Sequence, residues 1–191
     1  MKLKNLLRSY SKKFSNRNVK IMPSRVSDIP SILELHHDLF SDILMDMNYY
    51  NVRNLEAQAQ WGRIIVAKEK GVLVGYGASH TFLEQPSLYE SISKRVQGGF
   101  FEKSFPPASD KDTYFSELGI HPDFRRRGIG TMITKERIKT ARKKGASAVY
   151  VECLVGSGSV KMYEDLGFSH LFYDKELYPN GQDMQAMGLI L

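Results

Sequence analysis

A strand that runs into an arginine–glycine turn and then into a helix restricts this fold more than any other feature of the chain. Tyr114 to His121 reads as a β-strand stopped by Pro122, and Gly128 to Lys144 as a helix ended by Gly145. Between them stands R-x-x-G-x-G, with Arg125, Gly128 and Gly130 at its fixed positions. The first turn of a helix has amide groups with no internal partner, and the helix dipole adds partial positive charge there. Glycines remove the side chains that would hold a ligand's phosphates away from those amides. Arg125, Arg126 and Arg127 add cationic charge suited to phosphate oxygens. The turn therefore predicts a diphosphate site. A dinucleotide fingerprint needs a third glycine and a later acid, and a Walker loop needs G-K-[ST]; neither is present. Taken alone, the motif also fits a basic strand-to-helix turn with a glycine cap.

The rest of the chain supplies strands and helices in alternation. Val19 to Met22 reads as a strand, and Ser27-Asp28 as a helix cap with Pro30 in the first turn. Ile32, Leu35, Leu39 and Ile43 form a helical stripe, followed by a polar, tyrosine-bearing stretch from Asn48 to Gln60. Arg63 to Glu69 and Val72 to His80 form a predicted hairpin turned by Lys70-Gly71. Thr81 to Lys111 is irregular, with a short helix expected over Leu88 to Gln97. Ala148 to Leu154 is a predicted strand, Ser157 to Leu166 a helix stopped by Gly167, and Leu171 to Tyr173 and Met184 to Leu191 closing strands. Such units imply a mixed sheet covered by helices.

At 191 residues a single domain is expected, spanning 19–191. The net charge of +6 is concentrated in residues 1–18, whose six basic side chains have no acidic counterpart; without them 21 basic face 21 acidic residues. A nucleic-acid-binding body is thus not expected. Leu3, Leu6, Leu7, Tyr10 and Phe14 share one helical face in this basic extension. Packing on its own domain or on a second subunit is the first reading of that face, and contact with a membrane surface the second. No apolar run reaches the ~20 residues of a membrane span. The single cysteine, Cys153, suits a reducing compartment, so a cytoplasmic location is expected.

Two segments resemble a known family. YFSELGIHPDFRRRGIGTMI is similar to motif A of the GNAT superfamily of N-acetyltransferases, a strand leading into R/Q-x-x-G-x-G/A. SVKMYEDLGF, Ser159 to Phe168, resembles its motif B, at the spacing of one helix and one strand. The resemblance implies an α/β (α+β) fold: a mixed, mostly antiparallel sheet of about seven strands, flanked by helices, with splayed central strands. It also implies an acetyltransferase of acetyl-CoA and an amine, acting by direct attack in a ternary complex without a metal. The backbone of Leu118, Gly119 and Ile120 would pair with the pantetheine arm like an added strand. The amides of Arg126, Arg127, Gly128, Ile129, Gly130 and Thr131 would hold the pyrophosphate, with Arg125 at the first motif position. Tyr163 would protonate the leaving thiolate, as a phenol of ordinary pKa ~10 can. The asparagine that often opens motif B is replaced by Gly156, so Ser157 is the residue placed to cap the helix and touch the pantetheine arm.

The resemblance does not choose the base that deprotonates the amine. Candidates along the central strand are Glu117, Asp112 and His121, with His80 on the preceding strand. Glu117 is preferred, because an acid in an apolar strand is costly unless paired or used. A metal at His36-His37 is not expected, since adjacent helical residues diverge. Residues 36–60 and 81–112, with Tyr49, Tyr50, Trp61, Phe82, Glu84, Tyr89, Phe100, Phe101 and Phe105, suit either an acceptor pocket or a local core or dimer contact. A homodimer, a non-catalytic acyl-CoA-binding module, and an enzyme acting on a protein or a charged tRNA stay as alternatives.

Overall fold

The computed structural model describes residues 18–40, 52–84, 108–174 and 183–191. Seven strands form one sheet: β1 (Val19–Pro23), β2 (Ile64–Glu69), β3 (Val72–Thr81), β4 (Thr113–Ile120), β5 (Ala148–Leu154), β6 (Ser169–Asp174) and β7 (Met184–Ile190). Their spatial order is β1-β2-β3-β4-β5-β7-β6. Only β4 and β5 run parallel, and every other neighbouring pair is antiparallel. The helices α1 (Ile29–Phe40), α2 (Val52–Gln60), α3 (Ile129–Lys143) and α4 (Gly158–Asp165) cover the sheet.

Strand alternation sorts the core between the two faces. Ile64 and Val66 of β2 pack with Ile29, Ile32 and Leu35 of α1 and Leu55 of α2. Their neighbours Ile65 and Ala67 meet Ile129 and Ile133 of α3 on the other side. The β2–β3 hairpin turns through Lys70 (φ 52°) and Gly71 (φ 87°), the left-handed pair that a two-residue hairpin needs. The polar stretch ending at Gln60 differs from its sequence reading, because α2 begins at Val52. Among the described side chains there, Leu55 and Ala59, one turn apart, are the buried apolar anchors, a stripe too sparse to stand out. The basic extension, Ile43, Tyr49, Tyr50 and the helix expected over Leu88 to Gln97 lie outside the described residues.

The central strands part early. β4 and β5 pair only at Thr113↔Val149, Tyr114↔Tyr150 and Phe115↔Val151. Beyond that point β4 continues beside β3 alone, as far as Ile120 opposite Gly75. The register of β3 and β4 slips between Ala78 and Ser79, which face Glu117 and Phe115. The residue skipped, Ser116, makes a bulge that bends β4 away from β5. The splay expected from the motif resemblance is therefore present.

Asp112 closes the narrow end of this opening. One carboxylate oxygen accepts the amides of Ser147 and Ala148, each at 2.8 Å, and the other accepts the Ser109 amide at 2.8 Å. The side chain is buried and ties the start of β4 to the start of β5. This occupied carboxylate is a structural clasp, which removes Asp112 from the candidate bases. Asp112→Ala should lower unfolding stability by about 2–4 kcal/mol, since stranded amides lose a charged acceptor. Urea denaturation checks this.

Candidate active site

The glycine turn has the geometry that an anion site requires. Gly128 sits at the N-cap of α3 with φ 75°, and Arg126 is left-handed too, with φ 61°. For a non-glycine residue that conformation costs about 1 kcal/mol, and such strain gathers at binding turns. The first amide bonded within α3 is that of Met132, to the Gly128 carbonyl at 3.0 Å. The amides of Ile129, Gly130 and Thr131 precede it and have no helical acceptor. A Cβ on Gly130 would stand 3.3 Å from Met162 Sδ of α4 and 3.5 Å from Leu118 Cδ2, so glycine keeps this approach clear.

The three arginines divide their work. Arg127 donates to Glu69 Oε1 at 2.6 Å and lies 5.0 Å from the Phe124 ring, so its side chain clamps the turn to β2. Arg125 is exposed and its Nε donates to the Ile120 carbonyl at 3.1 Å. Arg126 reaches across to the first turn of α4, with Nη1 3.5 Å from where a Gly158 Cβ would stand. Ser157 is the N-cap residue of α4, yet its hydroxyl makes no cap bond and lies 2.6 Å from the Ser159 hydroxyl.

Glu117 and Gly119 face α1, while Leu118 and Ile120 face α3. The Tyr76 hydroxyl donates to Glu117 Oε2 at 2.8 Å, and His36 Nδ1 lies 2.7 Å from that hydroxyl and 3.3 Å from the carboxylate. With the phenol proton directed to Glu117, Nδ1 is the nitrogen that carries hydrogen towards Tyr76. Burial raises the Glu117 pKa above the usual carboxylate range, opposed by the His36 bond and charge and by the Arg137 charge. The partner of this strand acid is thus a tyrosine and a histidine rather than an arginine or lysine. Gly119 makes room for Tyr76, because a Cβ there would stand 2.6 Å from its ring.

Tyr163 lies in the core on the α3 face, 2% exposed, beside Val151, Cys153 and Phe115. Burial pushes its phenol up to about 12, while the Arg137 charge and the hydroxyl of Thr134 pull it down. Its ring meets Phe168 edge-on, with centroids 4.9 Å apart. Cys153 is buried, and its thiol is likewise pushed up to about 12, so it suits packing rather than attack.

The other sequence candidates separate from this centre. His80 is buried opposite Tyr114, with Nε2 3.4 Å from Gln58 Nε2, and burial lowers its pKa. His121 accepts from the Asp123 amide in a short turn and packs edge-on to Phe124. His37 is exposed, and no group of three metal-ligand side chains gathers among the described residues. Phe82 is core, its ring tilted against that of Tyr150 with centroids 5.3 Å apart, and Glu84 pairs with Arg63 at 3.0 Å. Sequence reasoning missed Tyr76 and Arg137. Tyr76 sits between Gly75 and Gly77 in an apolar strand, and Arg137 is four residues from both Ile133 and Ala141; both positions point inward.

The acetyltransferase (GNAT) family model matches residues 29–168. The chain is 23% identical over 174 residues to an N-alpha-acetyltransferase of Sulfurisphaera tokodaii, covering 90% of this chain and 92% of that one. It is 30% identical over 74 residues to the ribosomal protein bS18-alanine N-acetyltransferase of Salmonella typhimurium, covering 38% of this chain and 49% of that one. Among solved structures, yncA of Salmonella typhimurium with its cofactor acetyl-CoA superposes with a TM-score of 0.68 at 17% identity, covering 92% of this chain and 95% of that one. The family match spans well over half of the chain and both motifs, so this protein belongs to the acetyltransferase (GNAT) family and is an acetyl-CoA-dependent N-acetyltransferase.

Proposed function

We propose that acetyl transfer takes place in the opening between β4 and β5, with its two proton-transfer groups on opposite faces of the sheet. The observation that carries this reading is the placement of Glu117 towards α1 and of Tyr163 towards α3, just past the last β4–β5 pair. The pyrophosphate of acetyl-CoA lies on the amides of Arg126 to Thr131, with Arg125 and Arg126 as the exposed cations. The pantetheine arm follows the β4 backbone at Leu118, Gly119 and Ile120, and meets Ser157 at the start of α4. The acceptor amine approaches from the α1 side, where Glu117 takes its proton and Tyr76 and His36 hold the carboxylate in place. The neutral amine attacks the thioester directly, and Tyr163 gives a proton to the departing sulfur.

The acceptor we favour is the α-amine of a polypeptide, since the curated relatives are named for α-amine and ribosomal-protein acetylation. The domain assigned is residues 19–191, with the basic residues 1–18 as a docking arm for an acidic or macromolecular acceptor. We place the reaction in the cytoplasm, because the one cysteine, Cys153, is buried and unpaired, as a reducing compartment allows. Among the described residues no helix is long and apolar enough to cross a membrane.

Three measurements test this reading. Tyr163→Phe should lower kcat on the order of 10²-fold or more while leaving the Kd for acetyl-CoA unchanged; an unchanged kcat at every pH would remove the acid role. Only the Glu117 carboxylate can accept a proton, and burial raises its pKa, so activity should rise with pH through that raised value. Glu117→Gln should abolish this acid limb along with most of the turnover. Gly130→Val should weaken acetyl-CoA binding ~10-fold or more, about 1.4 kcal/mol, by calorimetry.

A further inference from the structure

Arg137 is the largest fully buried side chain of the described residues, at 2% exposure, in the middle of α3. A buried charge is costly unless opposed, and among the described residues no carboxylate forms an ion pair with this one. Its Nε donates to Ser79 Oγ at 3.1 Å and its Nη2 donates to the Ala78 carbonyl, so both bonds fall where β3 and β4 slip register. The guanidinium carbon lies 3.9 Å from the centre of the Phe115 ring. Gly77 leaves room for it, since a Cβ there would stand 2.9 Å from Arg137 Cδ. The remaining nitrogen, Nη1, is buried without a hydrogen-bond partner.

The ring under the guanidinium, Phe115, belongs to the same core cluster as Tyr163 and Phe168, so the cation and the phenol share a neighbour on the α3 face. The field of Arg137 also reaches Tyr76 and His80 on β3. Proton donation to sulfur leaves Tyr163 as a phenolate inside the core, where an uncompensated anion is strongly disfavoured. An unmodified thiol has a pKa near ~8.5, so a phenol held at about 12 is a reluctant donor to it. The Arg137 charge is already at work there, and without it the phenol would titrate higher still.

We propose that Arg137 is a positioning residue for acetyl transfer, whose buried guanidinium stabilises the charge that Tyr163 acquires as it protonates the departing thiolate. In this step the Tyr163 O–H bond breaks, an S–H bond forms, and the phenolate is left opposite the guanidinium. Forming the amide takes two protons from the ammonium nitrogen: Glu117 accepts the first and passes it to water, and the second, lost from nitrogen after attack, balances the proton that Tyr163 gives to sulfur and regains by exchange with water. The inference rests on the acid role assigned above to Tyr163.

The test pairs Arg137 variants with a more acidic phenol. Arg137→Met and Arg137→Gln, folded by circular dichroism, should lower kcat ~10-fold or more, with KM and the Kd for acetyl-CoA unchanged, while Arg137→Lys keeps most of the rate. Replacing Tyr163 by 3,5-difluorotyrosine should restore turnover to Arg137→Met, because a more acidic phenol needs less help. Its fluorine resonance should report a phenol pKa raised by ~1 unit or more in Arg137→Met relative to the native arginine. Full kcat in both Met and Gln variants, or a phenol pKa that does not move, overturns the proposal. Tyr163→Phe run alongside separates the two failures: wild-type turnover there sinks the acid reading itself, whereas a Tyr163-dependent reaction indifferent to Arg137 sinks only this inference.

Discussion

The parting of β4 from β5 is the constraint on which the rest depends. Three residue pairs hold the two strands together, and the Asp112 carboxylate binds the amides at their common origin. The bulge at Ser116 then turns β4 aside. Past it, one edge of β4 has backbone groups without a strand partner inside an otherwise closed sheet. Unpaired strand groups in a protein interior need an occupant, and an extended ligand arm is the form of occupant that satisfies them. The glycine turn follows directly from the open end of β4, which is why the proposed reading gives the diphosphate and the extended arm to one ligand.

The same bulge sets the electrostatics. It reverses the alternation of β4, so that Phe115 and Leu118 share the α3 face and Glu117 is sent to the α1 face. A carboxylate that would otherwise lie among apolar side chains meets Tyr76 and His36 there. On the opposite face the Ala78 carbonyl and the Ser79 hydroxyl, at the slipped register, accept from Arg137. One irregularity in strand pairing thus places an acid among hydrogen-bond donors and a cation over the Phe115 ring. Glu117 and Tyr163 lie at the depth where burial displaces their titration.

Much of this was legible beforehand where the information is local. Left-handed Lys70 and Gly71 suit their hairpin, Gly128 and Gly145 bracket their helix, and Ala148 to Leu154 forms its strand, because each rests on turn chemistry or short-range periodicity. Asp112 read as a possible base because its sequence position, beside a strand, says nothing of the two amides that arrive from the start of β5. The arginine triplet read as a uniform cationic patch, whereas Glu69, 58 residues earlier in the chain, claims the third member. His36 is 40 residues from Tyr76 and Tyr76 is 41 from Glu117, so their contact depended on the sheet and α1 coming together.

By itself the sequence determined the element order, the glycine turn before α3 and the membership of the family, since backbone dihedrals, glycine positions and helix termini follow from neighbours in the chain. Tertiary structure alone decided which ionisable groups work together. Whether Glu117, Asp112 or His80 is free to accept a proton depends on desolvation and on partners brought from distant elements, and neither is a property of a residue's neighbours in sequence. The inward placement of Arg137 is written in its helical spacing. Its place over Phe115, in the cluster that holds Tyr163, is not, because that cluster forms only once α3 and α4 pack on the same side of the parted strands.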